Sequence, residues 1–128
     1  MKEKLIVLGE GESGIGAAIL GKQKGYEVFL SEKNEIPVSL QNSLNDKGIR
    51  WESGQHSLAS MEGASIAVKS PGIPGNIPLL DGLRANGTRI ISEIEFAAQS
   101  TSATLIGITG TNGKTTTTMM TYEILKNA

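Results

Sequence analysis

The sequence predicts an α/β protein: a parallel β-sheet flanked by helices. Short apolar, β-rich runs alternate with stretches of helical spacing along the chain. Strand, helix, strand, repeated, folds into parallel strands joined by right-handed crossovers. Glycine is abundant, at 16 of 128 residues against a usual share of about 7%, so tight turns and close backbone approaches are called for. Hydrophobic residues make up 38% and charged residues 20%, enough for a packed core and too little charge for disorder.

Each element has its own signal. Leu5-Ile6-Val7-Leu8 reads as a buried strand, followed by the glycine-rich turn Gly9 to Gly14. Ile15, Ala18 and Ile19 then recur at helical spacing until Gly25. Tyr26 to Leu30 is a second strand, Val38 to Asp46 a helix closed by Gly48, and Ile49-Arg50-Trp51 a short third strand. Ser65 to Lys69 is a fourth, ahead of the turn-rich stretch Pro71 to Pro78. Leu79 to Ala85 reads as helix, Thr88 to Ile91 as extended and Ile94 to Ala98 as helix. Thr104 to Thr109 is a last strand, and Lys114 onward a helix with Met120 and Ile124 on one side. Ala97 to Ala103 is the one linker candidate, dividing residues 1–96 from 97–128.

Composition excludes several functions. Twelve basic and 13 acidic residues give a net charge of -1, which argues against a nucleic-acid partner bound through a basic surface. With no Cys and one His, thiolate metal sites, disulfides and thiol nucleophiles are absent. No apolar stretch approaches the roughly 20 residues that span a bilayer, and Met1-Lys2-Glu3-Lys4 opens directly onto a strand without a signal core. A cytoplasmic protein without membrane insertion is expected.

Three segments sit where strands end, the edge at which such sheets take ligands. Gly9-Glu10-Gly11-Glu12-Ser13-Gly14 is a G-x-G-x-x-G between a strand and a helix. Its glycines permit a tight turn, and the free N–H groups at the helix start suit a phosphate or pyrophosphate. Glu10 and Glu12 would repel that group unless they point outward. Glu32 or Ser31, ending the second strand, could meet a ribose or base. Ser70-Pro71-Gly72-Ile73-Pro74-Gly75 is a rigid loop offering backbone amides and one hydroxyl. Gly110-Thr111-Asn112-Gly113-Lys114-Thr115-Thr116 is a variant phosphate loop. Its amides would cradle phosphates, Lys114 would neutralise them and Thr115 would reach Mg²⁺. The usual G-x-x-x-x-G-K-[ST] has glycine where Ile108 stands. His56 reads as a solvated loop residue, and Trp51 as packing.

In this order and spacing the motifs, with Ser92-Glu93-Ile94-Glu95 between the second and third, resemble the Mur ligases of peptidoglycan synthesis. The resemblance implies a Rossmann-like domain that binds a UDP-linked precursor, followed by the first strand and helix of a central ATP-binding domain. The Ser-Pro-Gly-Ile turn looks most like the branch acting on UDP-N-acetylmuramoyl-L-alanine and D-glutamate. By resemblance, Gly11, Glu12, Ser13 and Gly14 hold the nucleotide. Ser31 or Glu32 meets the uracil, and Ser70, Pro71, Gly72 and Ile73 line its other side. Gly110, Thr111, Asn112, Gly113, Lys114, Thr115 and Thr116 hold ATP, with Lys114 and Thr115 catalytic and Thr115 on Mg²⁺. Glu12 departs from the family's usual apolar residue.

The resemblance further implies an acyl phosphate attacked by an amine. It makes these residues the front of a longer enzyme, inactive alone. Because a lone strand and helix are too small to be stable by themselves, segment 104–128 is expected to pack on the first domain or on a neighbouring copy. Two other readings stay open: an NAD(P)-binding module of an oxidoreductase or nucleotide sensor, and a small P-loop kinase.

Overall fold

The computed structural model describes residues 2–128. Five parallel strands, β1 (Lys4–Leu8), β2 (Glu27–Ser31), β3 (Arg50–Glu52), β4 (Ala64–Lys69) and β5 (Arg89–Ser92), form one sheet in the order β3-β2-β1-β4-β5. The chain winds outward from β1 through β2 to β3, then crosses back to β4 and continues to β5. The reversal falls between β1 and β4, and the crevice above it is where doubly wound sheets take ligands.

Strand alternation sorts the core into two layers. Leu5 and Val7 of β1 pack with Val28, Leu30 and Val68 under α1 (Glu12–Gln23), α2 (Val38–Asp46) and α4 (Glu93–Ala98). Ile6 and Leu8 pack on the other face with Ala67, with Met61 of a short 3-10 helix (Leu58–Met61) and with Leu80 and Leu83 of α3 (Pro78–Ala85). Residues 5 to 8 are fully buried, as a central parallel strand covered on both faces must be. Small residues let α1 lie close to the sheet: Gly14, Ala17, Ala18 and Gly21 are its buried positions.

Register aligns the strand ends. Leu8 stands beside Ser31 and Lys69, Ser31 beside Glu52, and Lys69 beside Ser92. Four loops and the start of α4 therefore leave the sheet from one row.

One predicted element is corrected. Thr104 to Thr109 joins no sheet. Its residues favour a strand, but a strand needs a partner for its N–H and C=O groups, and none of the described strands pairs with it. The helix that follows, α5 (Lys114–Lys126), forms as expected but buries none of its residues. Met119, Met120, Ile124 and Leu125 are all exposed, so the expected packing of this segment on the first domain is not seen.

Candidate functional site

The loops after β1, β2 and β4 are tied together at the reversal point. The Gly9 N–H donates to the Ser31 carbonyl at 3.0 Å, and the Ser70 N–H to the Leu8 carbonyl at 3.1 Å. Gly9 has φ +105°, and a Cβ there would lie 2.9 Å from the Ser70 Cβ. Only glycine therefore lets the first loop lean on the Ser70 loop. Helix α1 begins at Glu12 behind Gly11, with no side chain capping it, so its first N–H groups lack intrahelical partners. A Cβ at Gly11 would meet nothing within 4 Å, whereas one at Gly14 would lie 2.3 Å from the Gly9 carbonyl oxygen. Gly11 thus faces open space, and Gly14 closes the turn.

Carboxylates crowd this turn. Glu32 is only 9% exposed. It accepts the Glu10 N–H at 3.1 Å and the Asn34 N–H at 2.8 Å, joining the first two loops. Burial, and secondarily the charge of Glu32, push the Glu10 carboxyl above its usual range, and its Oε2 is buried without a hydrogen-bond partner. Ser13 donates its hydroxyl to Glu93 Oε2 at 2.8 Å, leaving Glu93 Oε1 buried and unpaired.

A carboxyl whose folded value is raised holds its proton more tightly in the folded chain. The stability it contributes is full below the ordinary glutamate value of 4.5 and is lost as pH rises through the raised value. Glu10→Gln is therefore expected to raise the melting temperature at pH 7 and to leave it unchanged near pH 4, where both forms are neutral. Equal melting of the two proteins at both pH values would contradict the burial of this charge.

The two candidates at the end of β2 differ. Ser31 is fully buried, and its Oγ lies 2.6 Å from Glu52 Oε1 and 2.7 Å from His56 Nδ1. Glu32 instead lines a cavity of about 370 Å³ together with Lys33, Asn34, His56, Gly72, Ile73, Pro74 and Ile77. The cavity lies between the β2 end and the β4 loop. Lys69 braces that loop, its Nζ donating to the carbonyls of Ser70 at 2.9 Å and Ile73 at 2.5 Å. A second, mostly apolar groove of about 520 Å³ runs between α1 and α4, with Ser13, Pro71 and Glu93 on its walls.

The structure thus brings Gly11 to Gly14, Glu32 and Ser70 to Ile73 to one edge. Lys33, Asn34 and Lys69 join the site from outside the motifs singled out in the sequence, and Glu93 joins it from the Ser92-Glu93-Ile94-Glu95 segment. His56 also comes from outside those motifs, half-buried and held by a buried serine instead of standing free in solvent. Its place after the third strand, at the ligand edge of the sheet, was the available signal.

The phosphate loop stands apart. Gly110 to Thr116 are exposed, and none of them lines either cavity. Lys114 Nζ donates to the Gly110 carbonyl at 2.6 Å. Gly113, in the left-handed conformation, precedes α5 without a side-chain cap, so first-turn N–H groups there suit a phosphate. Among the described residues no three His, Asp or Glu side chains gather to hold a cation. Thr115 fits one ligand of a Mg²⁺ site, and the carboxylates that would complete such a site form no such cluster among the described residues.

Fold and site edge define a doubly wound α/β domain with its ligand crevice at the reversal of strand order. The likeness to the Mur ligases holds across the whole chain. A curated UDP-N-acetylmuramoylalanine–D-glutamate ligase from Bacteroides fragilis is 50% identical over 126 residues, 98% of this chain and 28% of the relative. A pseudomurein peptide ligase type C from Methanothermus fervidus superposes with TM-score 0.66 at 30% identity, over 98% of this chain and 26% of that one. A murein peptide ligase from Psychrobacter arcticus does so with TM-score 0.69 at 26% identity, over 97% and 26%. No family model matches the chain. The chain spans about 28% of the length of the curated relatives it matches. No described helix is long and apolar enough to cross a membrane.

Proposed function

We propose that this chain is the precursor-binding part of a cytoplasmic, ATP-dependent ligase that joins D-glutamate to UDP-N-acetylmuramoyl-L-alanine. The observation that carries the reading is the cavity uniting Glu32 with Gly72 and Ile73 beside the glycine turn, in a chain whose relative is named for that substrate. The free amides of Glu12 to Gly14 meet the diphosphate. Glu32 and the Gly72-Ile73 backbone flank the uracil, and Ser31 holds the wall behind them. Residues 1–96 form this unit, and 97–128 open the ATP-binding part, where Asn112 to Thr116 hold the phosphates and Thr115 the Mg²⁺. Bound ATP would supply its γ-phosphoryl group to the substrate carboxylate, the β,γ bond breaking and ADP leaving, to give an acyl phosphate. The D-glutamate amine then displaces phosphate to form the amide.

Titration calorimetry tests the assignment. UDP and UDP-N-acetylmuramoyl-L-alanine are expected to bind, and NAD⁺ is not. NAD⁺ binding without uridine-nucleotide binding would overturn the ligase reading in favour of an oxidoreductase module. Because the Lys114 loop is exposed and no metal-holding cluster of acidic or His side chains forms among the described residues, the 128 residues alone are expected to hydrolyse no ATP above background. Hydrolysis that Lys114→Ala abolishes would contradict this.

A further inference from the structure

We propose that His56 is a specificity-determining residue of the cavity beside Glu32, presenting its Nε2 as a hydrogen-bond acceptor to the imide N–H of a uracil ring. The inference rests on the nucleotide reading of the site and adds to it the group that tells one pyrimidine from another.

Hydrogen-bond arithmetic fixes the ring's tautomer. The Ser31 hydroxyl has one proton and two polar neighbours, Glu52 Oε1 at 2.6 Å and His56 Nδ1 at 2.7 Å. Glu52 Oε1 already accepts the Ser57 N–H at 2.8 Å, as a carboxylate oxygen does. The hydroxyl proton therefore goes to Glu52, and the second contact is donated by the ring, so Nδ1 carries the hydrogen. In the neutral ring Nε2 is then a bare acceptor.

The surroundings keep the ring neutral. Burial lowers the His56 pKa, and Lys33 lowers it further, against the opposing pull of Glu32 and Glu52. Ser31, fully buried, leaves the ring little freedom to turn. Nε2 has no hydrogen-bond partner among the described residues, whereas both oxygens of Glu32 already receive backbone N–H groups. On this wall of the cavity, His56 offers an acceptor not yet engaged. Ile73, Pro74 and Ile77 supply apolar surface suited to a flat ring.

The chemistry selects the base. Uracil carries a hydrogen on N3, which Nε2 can accept. Cytosine carries a lone pair there, which would face the Nε2 lone pair and leave both unpaired. A site built to pair a donor rejects a ligand that lacks it more strongly than an apolar pocket would.

Calorimetry on the chain with UDP, CDP, N3-methyl-UDP and 2′-deoxy-UDP decides the matter. The wild type is expected to bind UDP and 2′-deoxy-UDP alike, and both at least about tenfold more tightly than the other two, a typical loss for one unpaired group. His56→Phe is expected to erase that preference. His56→Gln, whose amide oxygen can accept, should restore part of it. If His56→Phe melts before it can be titrated, Ser31→Ala frees the ring's tautomer and should weaken the preference instead. The preference should also fade as pH falls and Nε2 gains a proton. UDP binding with the same selectivity in His56→Phe would overturn this inference alone. Discrimination against 2′-deoxy-UDP instead of N3-methyl-UDP would place the donor on the sugar and overturn it too. No uridine-nucleotide binding at all would sink the site reading, and this inference with it.

Discussion

Gly14→Ala is expected to unfold the first turn of the protein rather than merely weaken a ligand. The added Cβ would sit 2.3 Å from the Gly9 carbonyl oxygen and 3.2 Å from its carbon. Both are backbone atoms, so no side-chain rotation relieves the clash. Either α1 slides along the sheet or the loop behind β1 opens, and that loop is bonded to β2 and supports the Ser70 loop. Overpacking of this kind costs about 1–3 kcal/mol or more, which in a domain of this size lowers the melting temperature by roughly 5–15 °C. A thermal melt followed by circular dichroism reads the result. An unchanged midpoint would mean the turn is not as tight as described.

Gly11→Val is expected to do the opposite: the fold stays and the ligand goes. No atom lies within 4 Å of a Cβ at Gly11, and its φ of -52° suits any residue. Exchanging glycine for valine at a helix cap costs only about 1 kcal/mol. The isopropyl group would, however, stand in front of the free amides of α1, where the diphosphate is proposed to lie. Affinity for UDP is expected to fall by at least about a hundredfold, roughly 2.7 kcal/mol. Retained affinity in a folded Gly11→Val protein would move the phosphates elsewhere. Two glycines of one motif, three residues apart, thus separate stability from binding.

What could be read from the sequence were the features set by local pattern. The α2 helix was legible to the residue, Val38–Asp46, because Pro37 and Gly48 bracket it. The strands were placed within one residue of their observed ends, since their apolar runs stop where the sheet stops. The glycine turn and the Ser-Pro-Gly-Ile loop announced themselves by residue type, and both lie at the reversal of strand order.

The remaining features depend on partners distant in the chain. Ser31 meets His56 and Glu52 only because β2 and β3 pair in register. Ser13 meets Glu93 across 80 positions, and no spacing rule anticipates that. Thr104 to Thr109 shows the converse failure. Its composition is that of a strand, yet a strand is made by its neighbours, and the segment has none among the described strands.

Amide chemical shifts recorded while UDP is added to isotopically labelled protein test the site most directly. The proposed geometry requires the largest changes at Gly11, Glu12, Ser13 and Gly14, and at Lys33, Asn34, Gly72 and Ile73. Gly110 to Thr116 should scarcely move. Changes confined to Gly110–Thr116, or absent from both the glycine turn and the Gly72-Ile73 loop, would contradict it.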